Sequence, residues 1–427
     1  MKMNVKKNRV RRLIFGTPIM ISVVILAFFV GVFLESCNHK EKVIVVGCQA
    51  ELTGGFASWG YWLNKGAKAA VDEINKSGGV NGMKLKYVFE DTESNPTTGQ
   101  RKFRKLVLED KADFVVGSVH SGIMMATVPL AKELKTIYLP IAMSCDATSC
   151  CKGNRYIFRL NSQVCEQAKA STDWMVKNLG KKWTIVVTDY AWGWSHEEEF
   201  SAGIENTGAT IVEKIRIPVG TKDFIPYLTK IPKETEALYF IFFGADATGF
   251  VQQLYEFGYR KEKFTMICSL EAIDVSKLGA AVEGMYLVEY LPRQLKYKDT
   301  PFNRKLRQLV GVDSEGYEIG NSGRVIAGSH YWAAYEHVQL MAMGMKKCNY
   351  QSKQDTKKLI ETLETLGTLT ESEAFPQGDV LLRKEDHQGF HKHWMSRIVN
   401  GKIEVQFAID PSAVQYKPMV DFTKESF

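Results

Sequence analysis

The chain reads as an α/β protein of two doubly wound lobes, and three observations predict this. Short β-branched runs alternate with helix-period stretches along most of its length, a rhythm that yields parallel sheets covered by helices. The rhythm stops after Pro140 and restarts at Glu166, which divides the sheet in two. The 391 residues that follow the first 36 are also too many for one hydrophobic core.

The leader comes first. Lys2, Lys6, Lys7, Arg9, Arg11 and Arg12 precede the apolar run Leu13 to Leu34, the pattern of a secretory signal. Its 22 residues also match one membrane span, so an uncleaved anchor with its basic end in the cytoplasm is an alternative. The run ends in Leu34-Glu35-Ser36-Cys37, which resembles a bacterial lipobox. That resemblance implies lipidation of Cys37 and removal of the signal peptide, residues 1–36. Six of the 55 basic and one of the 48 acidic residues lie in the leader. The remainder carries 49 and 47, a formal charge of +2, which argues for no nucleic-acid partner.

Eight cysteines are present, and seven remain if Cys37 is lipidated, an odd number that leaves at least one thiol unpaired in the monomer. Cys145, Cys150 and Cys151 crowd one loop. The options there are a Cys145–Cys150 or Cys145–Cys165 disulfide, free thiols, or a metal site. No second cysteine cluster supports a metal.

The folded part opens with the strand Val43 to Gly47 and the glycine loop Leu52 to Gly60. Tyr61 to Lys76 is apolar at helical spacing and stops at Ser77-Gly78-Gly79, a glycine stop signal. Strand Leu85 to Phe89, helix Gln100 to Glu109, strand Phe114 to Gly117, helix Ile123 to Leu134 and strand Ile137 to Pro140 complete the first set. Ligands in such a sheet sit at the carboxyl ends of the strands. The second set is helix Glu166 to Leu179, strand Thr184 to Val187, helix His196 to Asn206, strand Thr210 to Ile217, strand Leu238 to Phe243, helix Thr248 to Phe257 and strand Phe264 to Ile267. Strand Gly284 to Leu291 follows, then helices Arg324 to Met345 and Gln354 to Leu366, which are expected to return to the first lobe. The parts are thus 42–163 (first lobe), 164–292 (second lobe), 293–375 (return to the first) and 376–427 (second lobe and tail).

Six ordered motifs carry a family resemblance. They are Leu-Thr-Gly-Gly…Trp-Gly at 52–60, Ala-Val-Asp-Glu-Ile-Asn…Gly-Gly-Val-Asn-Gly at 70–82, Asp-Thr…Asn-Pro at 91–96, Val-Gly-Ser-x-x-Ser at 116–121, Asp-Tyr-Ala-Trp-Gly at 189–193 and Thr-Lys-Asp-Phe-Ile-Pro at 221–226. Over most of residues 42–415 the chain resembles the solute-binding proteins of branched-chain amino acid type ABC transporters. The resemblance implies the type I periplasmic binding fold, with two lobes joined by three hinge strands and closing on a ligand in the cleft. It implies a small-molecule ligand, a permease partner, no cofactor and an extracytoplasmic, membrane-anchored location. It places Trp59 over the ligand side chain and Ser121, Ala142 and Ser144 on the ligand carboxylate. From the second lobe it offers Trp192, Ala245 or Asp246, and Glu271 for an amino group.

The residue chemistry agrees. A carboxylate needs amide and hydroxyl donors at a helix start, which Ser121-Gly122 offers. An ammonium needs an acceptor such as Glu271 or Asp246, and two tryptophans can clamp an apolar body or stack a ring. Against these stand ordinary packing for the tryptophans, capping for Ser121 and surface exposure for the carboxylates.

The rival signal is His387, His391 and His393, which could bind zinc or act as bases. It lacks an HExxH frame and a cysteine pair, and the chain has no GxxxxGK[ST] or GxSxG motif. Three functions are therefore weighed. The leading one is capture of an amino acid or related solute, with amide, urea-like and aromatic acid solutes as alternatives. The others are a sensory ectodomain, and an exported hydrolase that lacks a recognisable nucleophile and base.

Overall fold

A computed structural model describes residues 1, 42–148, 152–205, 207–259 and 268–427. The leader with Cys37, the cysteines at 150 and 151, and the expected strand Phe264 to Ile267 lie outside the described residues. Residues 43–427 form one compact unit.

Strand β1 (Val43–Ala50) is buried along nearly all its length because its β-branched residues face helices on both sides. Helix α1 (Ala57–Lys76) crosses to β2 (Lys84–Asp91), α2 (Pro96–Leu108) to β3 (Phe114–Val116), and α3 (Ser121–Glu133) to β4 (Ile137–Leu139). The sheet order is β2-β1-β3-β4, all parallel. Asn95 caps α2 through the Thr98 amide, and Pro96 sits where its missing N–H costs nothing.

The second sheet repeats this plan. Helix α4 (Val164–Asn178) leads to β5 (Lys182–Thr188), α5 (Ala191–Ile204) to β6 (Thr210–Ile217), and β7 (Ala237–Ile241) to α6 (Gly244–Glu256). Its order is β6-β5-β7, again parallel. The expected helix starts move upstream by five residues at α5 and four at α6. Each helix begins directly at the end of the preceding strand, with Trp192 and Ala245 already in its first turn.

The later chain departs further from expectation. Strand β8 (Tyr286–Glu289) precedes α7 (Pro301–Val310), a helix capped by Thr300 and stopped by left-handed Gly311. Residues 324 and 325, expected as a helix start, instead end strand β10 (Asn321–Val325), which pairs with β9 (Tyr317–Glu318) across Gly320. Helix α8 (Gly328–Lys347) then packs along α1 so closely that a Cβ on Gly66 would stand 2.0 Å from the Tyr331 carbonyl oxygen. Helix α9 (Thr356–Leu363) packs on α8. Strands β11 (Thr368–Leu369), β12 (Val380–Leu382) and β13 (Gly389–Phe390) form one antiparallel sheet. A second joins β15 (Lys402–Ile409), β14 (His393–Val399) and β8.

A polar knot ties the segments that join the sheets. Arg159, fully buried, donates to Gln388 Oε1 (2.9 Å) and to the carbonyls of Ala142 (2.9 Å) and Ser144 (2.8 Å), with Thr148 and Gln163 completing the set. Nearby, a Cys145–Cys165 disulfide closes the gap between the loop after β4 and helix α4. Cys48 and Cys348 are buried free thiols.

Candidate functional site

Both parallel sheets reverse their winding at their first strands. In β2-β1-β3-β4 the reversal falls between β1 and β3, and in β6-β5-β7 between β5 and β7. Side chains just beyond the carboxyl ends of those strands are the expected ligand wall. One cavity is built from these loops. Phe56 and Trp59 follow β1, Val119 and Ser121 follow β3, Met143 follows β4, Tyr190 and Trp192 follow β5, and Phe243 follows β7. Glu271 and His330 close the ring, around a cavity of about 40 Å³.

Aromatic rings join the two sets of loops. Phe56 stacks on Phe243 with centroids 4.2 Å apart and planes at 23°. Trp59 meets Phe243 edge-on at 6.4 Å, and Tyr190 meets it at 5.6 Å. Trp192 also meets Phe243 edge-on, at 6.4 Å, and crosses His196 at 5.1 Å. Burial holds the His196 imidazole neutral, with its pKa pushed down to about 3, while its Nδ1 pairs with the Tyr239 hydroxyl at 2.7 Å.

The β3 loop is drawn tight from behind. Gly117 has φ +95°, and a Cβ there would meet the Gln49 carbonyl at 1.9 Å, so only glycine fits. Buried Glu51 accepts from the Val119 and His120 amides at 3.1 and 3.3 Å. Burial raises its pKa above the ordinary carboxyl value, against the pull of these bonds. His120 Nδ1 in turn accepts from the Gly122 and Ile123 amides at 2.9 and 3.3 Å. The amide pair at this helix start is therefore already capped, and Ser121 is left as the loop's polar side chain on the cavity wall.

The structure brings Trp59, Ser121, Trp192 and Glu271 to one cavity and places the other expected site residues elsewhere. The Ala142 amide donates to the Ser118 carbonyl at 2.9 Å and its own carbonyl is held by Arg159. The Ser144 hydroxyl pairs with that of Ser195 at 2.9 Å. Between them, Met143 faces the cavity. Ala245 is exposed on α6, and Asp246 accepts from the Gly220 amide at 2.7 Å. The turn after β7 contributes Phe243 to the wall instead.

Phe56, Val119, Met143, Tyr190, Phe243 and His330 were not singled out by the sequence. Phe56, Val119, Met143 and Tyr190 lie in loops already marked by the strand pattern, so the signal was the loop and not the residue. The same pattern makes Phe243 the last residue of a strand that in fact ends at Ile241. His330 had no such signal.

Glu271 is turned towards the start of α8. It accepts from the Ser329 amide, and from the Ser329 hydroxyl at 2.6 Å. His330 Nδ1 lies 2.9 Å from that hydroxyl and 3.4 Å from the carboxylate. The serine proton goes to the carboxylate and not to the imidazole, which is the wrong order for an activated nucleophile.

The remaining histidines form packing groups. His387 stacks on Phe158 at 3.9 Å and bonds the Ile157 carbonyl and Glu364. His391, His393 and Glu166 have ligand-type atoms within 4.8 Å of one another. The two rings are 6° from parallel, so their in-plane lone pairs do not converge on one point. A second group, Cys145, Cys165 and Glu199, has both sulfurs committed to the disulfide. Among the described residues no helix is long and apolar enough to cross a membrane.

Comparison with known proteins adds the family. A family model described as periplasmic binding protein matches residues 43–402. The Leu/Ile/Val-binding protein homolog 3 of Brucella melitensis is 32% identical over 55% of this chain and 63% of its own length, so the chain spans less than two thirds of that relative. Two solved structures share the fold. One is a solute binding protein of an ABC transporter from Rhodopseudomonas palustris in complex with 3,4-dihydroxy benzoic acid. It has TM-score 0.71 and 21% identity, covering 86% of this chain and 98% of that one. The other is the branched-chain amino acid transporter substrate binding protein LivJ from Streptococcus pneumoniae in complex with isoleucine. It has TM-score 0.72 and 21% identity, covering 86% and 99%. With the family match running from β1 into β15, the chain belongs to the periplasmic binding protein family.

Proposed function

We propose that this chain is an extracytoplasmic solute-binding protein that captures a small carboxylic solute, an amino acid or an aromatic acid, and delivers it to an ABC transporter permease. The observation that carries this reading is the ring-lined cavity at the winding reversals of both sheets, with Ser121, Glu271 and His330 as its polar side chains. Five aromatic side chains suit a flat or branched apolar body, which favours an aromatic acid as the second candidate beside a branched amino acid.

The lobes assigned to 42–163 with 293–375, and to 164–292 with 376–427, close over the ligand in this proposal, and a lipidated Cys37 tethers the protein to the membrane. Catalysis is not part of the reading, because the Ser329 hydroxyl near the cavity is spent on Glu271.

The test is a thermal-shift titration of the chain without its leader against L-leucine, L-phenylalanine, benzoate and 4-hydroxybenzoate. A micromolar Kd corresponds to about −8 kcal/mol, and ligand at 100 times Kd stabilises by about 2.7 kcal/mol. A saturable rise with one of these probes is the expected result, and flat melts with all four would sink the reading. Glu271→Gln then separates the ligand classes. Losing a buried charge partner costs about 2–5 kcal/mol, so amino-acid binding should fall at least roughly 30-fold while benzoate binding changes little.

A further inference from the structure

The tail after β15 crosses the molecule once more. Among the described residues the chain passes between the surroundings of the two parallel sheets after β4, after β8 and after β13. Strand β15 lies on the second side, because its Ile403, with Leu287 of β8 and Ile398 of β14, shares a core with Val186 and Phe240 of the second sheet. The turn Pro411–Val414 that follows packs on α4, with Val414 buried. Tyr416 then enters the polar knot. Its hydroxyl receives a hydrogen bond from the Gln163 amide, its carbonyl accepts from Arg383, and the Arg383 guanidinium lies 4.6 Å from its ring centroid.

The rest of the tail ends on the first side. The Phe422 amide donates to the Glu385 carbonyl at 2.6 Å, and its buried ring meets His387 edge-on at 5.7 Å. Arg155 donates to the Glu425 carbonyl at 2.9 Å, and its guanidinium lies 4.0 Å from the Phe427 ring centroid, with Lys357 Nζ at 5.0 Å. Lys132 pairs with the Glu425 carboxylate at 3.1 Å. Lys132 lies in the last turn of α3, and Lys357 in the first turn of α9. Tyr156, beside Arg155, accepts from the Tyr138 amide of β4 at 2.9 Å.

We propose that the tail after Val414 is a strap across the two lobes. It fastens the closed arrangement, in which Phe56 stacks on Phe243, and the lobes part only when the end of the strap peels from Arg155 and His387. The end is built to peel. Glu425 and Phe427 are partly exposed and Lys132 is exposed, and ion pairs and cation–ring contacts at such sites are individually weak. Tyr416 in the knot is the fixed point from which the end swings. In the solute-binding reading, on which the role of the strap rests, entry and exit of the solute both wait on this release.

The experiment compares the wild-type chain without its leader, Phe427→Ser, and the double variant Phe422→Ser with Phe427→Ser, each confirmed folded by circular dichroism. Small-angle X-ray scattering of the ligand-free proteins comes first. The double variant should show a larger radius of gyration than the wild type, and Phe427→Ser a smaller change in the same direction. Stopped-flow tryptophan emission follows, with whichever of L-leucine, L-phenylalanine, benzoate and 4-hydroxybenzoate binds the wild type. Association and dissociation should both speed up at least about threefold in the double variant, because both wait on opening. General damage to the fold would not speed association. Unchanged scattering in the folded double variant overturns the inference, as does association that is unchanged or slower. If the double variant does not fold, Phe427→Ser alone decides by the same two criteria. If none of the four probes binds the wild type, the solute-binding reading fails, while scattering still decides whether the tail holds the lobes together.

Discussion

Replacing Arg159 by methionine should destabilise the whole fold through the binding loops it ties together. The guanidinium is fully buried and its neighbours are mostly neutral acceptors: two carbonyls, two side-chain amides and a hydroxyl. Burial pushes its pKa down to about 10, yet the group stays charged at neutral pH, with Glu166 and Asp386 among the anions opposing that shift. Methionine removes the cost of desolvating the charge but orphans the Ala142 and Ser144 carbonyls. Each buried acceptor left unmade costs about 1–3 kcal/mol, so the net loss should be about 2–4 kcal/mol. Urea unfolding followed by tryptophan emission measures it as a lower midpoint at unchanged slope. The cavity should also lose affinity, because the same loop carries Met143. Arg159→Lys, with one nitrogen in place of three, should recover less than half of the loss. A methionine variant within about 0.5 kcal/mol of wild type would refute the reasoning, because it would mean the carbonyls find other partners at no cost.

Three further outcomes are expected. Gly66→Ala gains about 1 kcal/mol of helix propensity but drives a Cβ into the Tyr331 carbonyl, so overpacking of about 1–3 kcal/mol or more should win and lower the melting midpoint. His337 is held neutral, its pKa lowered to about 3 by burial, and its Nε2 accepts from the Leu160 amide at 2.8 Å. The unfolded chain binds that proton below pH ~6.5 and the folded chain does not, so stability falls as the pH drops from 6.5. The share of His337 at pH 5 is about 2 kcal/mol, read as the part of the stability loss between pH 7 and pH 5 in chemical denaturation that His337→Gln removes, with His196 and the other buried histidines adding their own losses in the wild type. Cys145→Ala with Cys165→Ala opens a closure of sequence separation 20 and should cost about 3 kcal/mol, with a fall in the non-reducing melt that reductant does not deepen.

The two parallel sheets were legible because their strands are short, β-branched and punctuated by glycine loops. The order of Val43 to Ala50 and its followers fixes where the winding reverses, and so which loops face a ligand. Within those loops the choice of side chain was less legible. Ala142 and Ser144 sit on the expected loop, but Arg159 and Ser195 claim their polar atoms, and a partner 15 or more residues away leaves no local trace. His330 was invisible for the opposite reason. It lies in a helix whose period marks it as core, and its polar setting comes from Glu271, 59 positions earlier. Near the end of the chain, β12 and β13 hid their antiparallel pairing because strands of two or three residues carry no periodic signal, whereas β14 and β15 are seven and eight residues long and were missed despite their length.

The central claim is that the ring-lined cavity is where this protein holds its solute. Calorimetric titration of the best-binding probe into wild type and Phe243→Ala, both confirmed folded by circular dichroism, tests it most directly. The account predicts one site per chain in the wild type and at least about a tenfold loss in the variant, since Phe243 touches Phe56, Trp59, Tyr190 and Trp192 at once. Unchanged affinity in the variant would place the solute elsewhere and contradict the account.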